Sequence, residues 1–187
     1  MPTQKTYLFT SARLGFRNWT DDDIPVMAAI NADPSVMEFF PAVQSIEETK
    51  IFVARMQEQF HQKGFCYYAV DQLDSGKLIG FTGLSEKNFE SDFTPCIDIG
   101  WRFATDAWNQ GFATEAAKSC LRHGFQQLRM ERIVSIAPIL NTKSVAVMKK
   151  AGMKFEKTFE HPLLLNDERL RSCVLYDIRK DNFIVEG

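Results

Sequence analysis

Over residues 95–128 the hydrophobic period changes from two to about 3.6 across a short segment that closes on Gly111, which fixes a strand, a turn and a helix in that order. In the strand, Ile97, Ile99 and Trp101 fall on one face and Cys96, Asp98 and Gly100 on the other, because successive side chains alternate. From about Gly111 to Leu128, small or apolar residues recur at Ala113, Ala116, Ala117, Cys120, Leu121 and Phe125. A helix start leaves its first N–H groups unpaired and carries a partial positive charge, so phosphate oxygens bind there without help from lysine or arginine. Gly111 lets the backbone approach a ligand closely, Ala113 keeps the helix start uncrowded and Thr114 offers a hydroxyl. Spacing alone leaves two readings open, an anion site or a tight strand-to-helix turn.

The rest of the chain alternates in the same way. Arg13–Arg17 reads as a first strand, and Asp21–Asp23 caps a helix to about Ala32 that Asp33-Pro34 ends. Ser45 and Glu48 form a capping box for a second helix, which Gly64 stops. Strands at 65–70 and 77–84 flank a turn at Asp74–Lys77, and a further strand spans 132–137. Asn141 opens a helix that runs through Lys150 to Gly152. Strands at 153–158 and 173–178 enclose a polar stretch, 160–171, that composition predicts to be mobile. This order predicts one α/β domain over residues 1–187, a mixed sheet of about six or seven strands flanked by helices.

Several function classes are disfavoured. A net charge of −2 and a pI near 5.9 leave no footprint for nucleic acid, and no apolar run reaches membrane-spanning length. Cys66, Cys96, Cys120 and Cys173 are widely spaced, which predicts reduced thiols in a cytoplasmic protein. His61, His123 and His161 form no metal-ligand spacing, so no metal is expected.

A second motif follows one strand later, Asn141-Thr142-Lys143-Ser144. Asn141 serves either a ligand or only its own helix. Both helices begin at one edge of the sheet, where ligands of open α/β sheets bind. Ile99-Gly100-Trp101-Arg102, Trp108 through Ala116, Asn141–Ser144 and Gly152-Met153-Lys154-Phe155 together resemble the GNAT superfamily of acyl-CoA N-acyltransferases, and within it the RimJ/RimL branch. The likeness extends to Arg13–Arg17 and to Leu78–Leu84, nearly the whole chain. It implies an acetyl-CoA-dependent N-acetyltransferase. The family's pyrophosphate positions fall on Trp108, Gly111 and Ala113, with backbone amides from Gln110 through Phe112 to Thr114 holding the phosphates. The backbone of Trp101, Arg102 and Phe103 would pair with the pantetheine amides, and Asn141 would orient the cofactor or Ser144.

The resemblance further implies direct attack of an amine on the acetyl thioester. Asp98 stands where the family often carries a glutamate, and is the candidate base; the alternative is a carboxylate bonded to neighbouring backbone or arginine. Ser144 is the candidate acid, its alternative being local helix capping. Tyr176 is a further phenol, read as structural. Cys96 and Cys173 have no histidine placed beside them, which argues against an acyl-cysteine. The acceptor would be a primary amine, on a protein N-terminus or a small molecule, lined by Asn31, Asp33, Phe39, Phe40, His161 and Arg171, with a homodimer allowed. The competing class is a non-catalytic acyl-CoA sensor or protein-interaction module on the same fold. A nucleotide-binding protein is disfavoured, since neither a Walker sequence nor GxGxxG follows a strand.

Overall fold

The computed structural model describes residues 5–183. Two short strands, β1 (Phe9–Thr10) and β2 (Leu14–Arg17), lead into α1 (Ile24–Asn31) and α2 (Ile46–Lys63). A meander follows of β3 (Tyr67–Gln72), β4 (Leu78–Lys87) and β5 (Cys96–Phe103). Then come α3 (Phe112–Gln126), β6 (Arg132–Pro138), α4 (Thr142–Lys150), β7 (Lys154–Glu160) and β8 (Ser172–Arg179). One eight-stranded sheet collects all the strands in the order β1-β2-β3-β4-β5-β6-β8-β7. Every neighbouring pair is antiparallel except β5 and β6.

The expected mixed sheet is present with one strand more than predicted. The addition is β1, two residues long and therefore too short to show alternation; Phe9 pairs with Phe16 and stacks on its ring at 4.4 Å. Strand β4 runs on to Lys87 because each of its residues from Gly80 has a partner on β5, ending with Lys87 opposite Cys96. The first helix begins after the three aspartates and ends at Ala32, as expected. The aspartates themselves, Asp21–Asp23, form a single 3-10 turn, in which the Asp23 carboxylate accepts from Arg17 at 2.7 Å and from the Thr20 N–H at 2.8 Å. In the expected polar stretch 160–171, Glu160 ends β7 and the remainder is a run of turns, closed by His161 N–H to Arg171 C=O at 2.8 Å and pinned inward by fully buried Leu170.

The sheet is covered on both faces. Phe9 and Tyr68 meet His123 of α3 on one side, with Phe16 stacked on Phe9. On the other, Trp19 and Phe52 close over Phe81 beneath α1 and α2. Arg17 lies on this second face between Asp23 and Asp71, a buried network in which each charge has a partner. Among the described residues no helix is long and apolar enough to cross a membrane.

Candidate active site

The site begins where the sheet opens. Strand β5 is paired to β4 over its whole length, and β6 to β8, yet β5 and β6 meet only at Asp98 opposite Val134. The Ser135 hydroxyl donates to the Ile99 carbonyl at 3.1 Å and marks the end of contact. A cavity of about 710 Å³ fills the gap. Each residue of β5 from Asp98 to Phe103 lines it, so both faces of the strand contribute and its open edge runs along the cavity.

Backbone polarity on that edge follows from alternation, since a strand's amides point to opposite edges in turn. Gly100 C=O accepts from Thr82 Oγ1 at 2.9 Å, and Arg102 C=O lies so close to Gly80 that a Cβ there would stand 2.1 Å from it. Residues 100 and 102 therefore face β4, and 99, 101 and 103 face the gap. Ile99 C=O is taken by Ser135, and Phe103 C=O by the Trp108 indole N–H at 2.9 Å. What the open edge offers a ligand is the N–H and C=O of Trp101 and the N–H of Phe103.

Beyond the strand, Gly111 is the N-cap of α3 with φ of 81°, a left-handed conformation that Gly adopts without the Cβ clash other residues meet. Gly111, Phe112, Ala113 and Thr114 have no backbone acceptor for their N–H groups among the described residues, and all four line the cavity. The turn is clamped from a distance. Glu115 accepts from Ser11 Oγ, Arg13 N–H and Arg13 Nε at 2.7, 2.8 and 2.7 Å, and Arg13 Nη1 donates to Gln110 C=O at 3.0 Å. Burial pushes the Glu115 carboxyl up, but these hydrogen bonds and the Arg13 charge outweigh it and hold the group below the usual glutamate range. Lys143 from the start of α4 stacks over the Trp108 ring at 4.5 Å, joining the two helix starts.

On the α1/α2 face of β5, Asp98 is 5% exposed. It accepts from the Tyr67 phenol at 2.7 Å and from the Ile136 backbone N–H, with Lys87 Nζ 3.8 Å away. Burial raises the Asp98 carboxyl above the usual range, and the Lys87 charge and these hydrogen bonds pull it back only in part. Tyr67 reaches Asp98 by lying across Gly100, where a Cβ would come within 3.2 Å of its ring. Burial, then the adjacent carboxylate, pushes the Tyr67 phenol well above its ordinary value, so it stays protonated and donates. Four residues along the same face stands Arg102, also buried.

A strand edge with unpaired amides leads here to a helix start with unpaired amides, and both share a cavity with a buried carboxylate. The chain matches the acetyltransferase (GNAT) domain model over residues 13–154. The chain belongs to the GNAT acetyltransferase family. It is 28% identical over 152 residues to the uncharacterized N-acetyltransferase YnaD of Bacillus subtilis, covering 81% of this chain and 85% of that one. A GNAT-family acetyltransferase from Bacillus anthracis superposes with a TM-score of 0.78 at 26% identity, covering 92% of this chain and 98% of that one. The fold is shared too by spermidine N-acetyltransferase from Vibrio cholerae in complex with CoA and spermine, with a TM-score of 0.74 at 18% identity over 92% and 98% of the two chains.

The GNAT family uses acetyl-CoA, and the residues of this acetyltransferase fit it. The open edge at Trp101 and Phe103 suits the two amides of a pantetheine arm, and the four free N–H groups at 111–114 suit a diphosphate. Several residues expected at the site take other positions. Arg102 turns its carbonyl to β4 and its side chain to the α1/α2 face, so it is no backbone partner for an arm in the gap. Gln110 lies outside the cavity, with its side chain on Asp106 C=O and its carbonyl on Arg13. Asn141 Oδ1 caps α4 by accepting from Ser144 N–H at 3.0 Å, while both residues line the cavity and the Ser144 hydroxyl makes no hydrogen bond among the described residues.

Of the residues expected around an acceptor, Phe39, Phe40 and His161 line the cavity, and Asn31, Asp33 and Arg171 do not. Asn31 is fully buried behind Arg102, Asp33 is spent on Ser35 N–H at the helix end, and Arg171 pairs with Glu160. His161 lies among Phe89 and Phe159, where burial, then the Lys87 charge, lowers it. Tyr176 packs on Phe155 away from the cavity. Cys173 does line it, but burial pushes its thiol up to about 11, which keeps it from serving as a thiolate. Tyr67 was missed by sequence reasoning; only the pairing of Tyr67, Gly83 and Gly100 across three strands brings its phenol to Asp98.

Proposed function

We propose that this GNAT enzyme is an N-acetyltransferase that moves the acetyl group of acetyl-CoA to a primary amine within a ternary complex, with motifs closest to the RimJ/RimL branch. The observation that carries this reading is the buried carboxylate of Asp98 on the same cavity as the open edge of β5 and the free amides of α3. Acetyl-CoA supplies the activated acetyl group. Trp101 and Phe103 align the arm and the 111–114 amides hold the phosphates, and such positioning supplies a large part of the rate.

Asp98, raised towards neutrality by its burial, takes the proton of the incoming ammonium directly or through water. Tyr67 holds the carboxylate in one orientation. Ser144, with its N–H tied to Asn141 and its hydroxyl free, delivers a proton to the departing thiolate. The test is amine-dependent release of CoA thiol, with the N-acetylated amine identified by mass spectrometry. Binding of CoA without thiol release from any amine in a broad panel would overturn it in favour of a sensor.

A further inference from the structure

Arg102 is a buried cation with no counter-ion among the described residues. It is 8% exposed, and burial lowers its pKa to about 10, which still leaves it charged at neutral pH. Both of its hydrogen bonds leave from Nη1, to Asn31 Oδ1 at 2.6 Å and Gln44 Oε1 at 3.4 Å, and both acceptors are neutral amides. Its buried Nε has no partner among the described residues. Phe40 stacks on the face of the guanidinium at 4.2 Å and Phe81 lies 5.3 Å away, so the remaining donors lie in the plane of the group. Arg17 on the same face of the sheet shows the usual solution, two carboxylates for one guanidinium. A buried charge left unpaired costs stability, and an apolar residue of similar size would fill this place without that cost.

Arg102 also lines the cavity, four residues from Asp98 on one face of β5, roughly 13 Å along the strand. The wall around them adds Arg55 and Lys87 against the single carboxylate of Glu38. A polyamine would call for several carboxylates here. We propose that the acceptor is a primary amine that itself carries a carboxylate, which pairs with Arg102 while the amine points towards Asp98. Nε is sealed from the cavity, and Nη2, which makes no hydrogen bond among the described residues, is the donor left to receive a carboxylate oxygen in the plane of the group. The assignment rests on the reading of the cavity as an N-acetyltransferase site and gives that site its substrate class.

The test uses the full chain with saturating acetyl-CoA and follows CoA release. Free α-amino acids, ω-amino acids and dipeptides are each compared with their own carboxamide, beside spermidine and an aminoglycoside. The best acids exceed their amides in kcat/KM by roughly tenfold to a hundredfold, the range of a charge-assisted hydrogen bond. Arg102→Gln brings that ratio near one with the KM for acetyl-CoA unchanged, and Arg102→Lys keeps part of the preference. Should Arg102→Gln not fold, Asn31→Asp does the same work by supplying an internal counter-ion to Nη1. Amides or spermidine turned over as well as acids, or a preference that survives these variants, would overturn the assignment. Absence of turnover with every amine defeats the enzymatic reading instead. The anion site is then read by melting of the CoA-loaded protein, with N-acetylglycine stabilising and N-acetylglycinamide not; equal effects of the two would refute it.

Discussion

Asp98 gathers the strongest constraints of any single residue. Its carboxyl is raised in the folded state, chiefly by burial, so folded protein holds the proton at pH values where the unfolded chain has released it. Stability from this group is thus greatest at low pH and falls as pH rises from the ordinary aspartate value through the raised one. Asp98→Asn removes that loss, and urea melts at neutral pH should show a variant at least as stable as the parent. The same substitution lowers kcat by about 10²–10⁴-fold with acetyl-CoA affinity retained. The parent's kcat/KM rises with pH along a limb centred above the usual aspartate range, and a rate independent of pH through that limb would remove Asp98 as the base. Ser144→Ala tests the other proton transfer: kcat falls and acetyl-CoA binding holds, because the cap on α4 uses the Ser144 N–H and not its hydroxyl. That Asp98 and Ser144 stand on one cavity was legible because each sits at a fixed offset within a local motif. Tyr67 was not, since it meets Asp98 only through the register of β3, β4 and β5. Arg102 was expected to offer its backbone to the arm, whereas its carbonyl turns to β4, and the neutral partners of its side chain, Asn31 and Gln44, come from α1 and the loop beyond it.

At the scale of elements, the turn into α3 sets the alignment of the amides proposed to hold the phosphates. Gly111 holds φ at 81° and Asn109 holds 59°, so two left-handed residues precede the helix. Gly111→Ala places a Cβ where that conformation costs about 1–2 kcal/mol. A Cβ there would meet nothing nearer than Arg13 Nη2 at 3.5 Å, so the effect is conformational and not a clash. Calorimetric titration should show acetyl-CoA affinity weakened roughly tenfold as the turn relaxes, and unchanged affinity would mean that the turn's shape is irrelevant to binding. The change of hydrophobic period made strand, turn and helix readable in advance. The clamp of Ser11 and Arg13 onto Glu115 was invisible because its partners stand about a hundred residues apart. Strand β1 escaped for want of length, and the turns after β7 because their order comes from packing around Leu170.

The whole molecule is a sheet with one parallel junction, and that junction is where it opens. Antiparallel pairing on either side holds β5 and β6 each to an outer neighbour, so their divergence leaves a cavity without breaking the core. This plan, and with it the acetyltransferase family, was legible because the chain carries its motifs in order along most of its length. The rest of the cavity was not, since its wall draws on the α1–α2 loop, β3 and the turns after β7, segments with no common motif. Acetyl-CoA binding should raise Tm by mass action, the stabilisation reaching about 4 kcal/mol at a thousandfold excess over Kd. The most direct test of the account is amide hydrogen exchange with and without CoA. New protection should concentrate at the N–H groups of Gly111–Thr114 and of Trp101 and Phe103; protection elsewhere with these amides unchanged would contradict the proposed cofactor site.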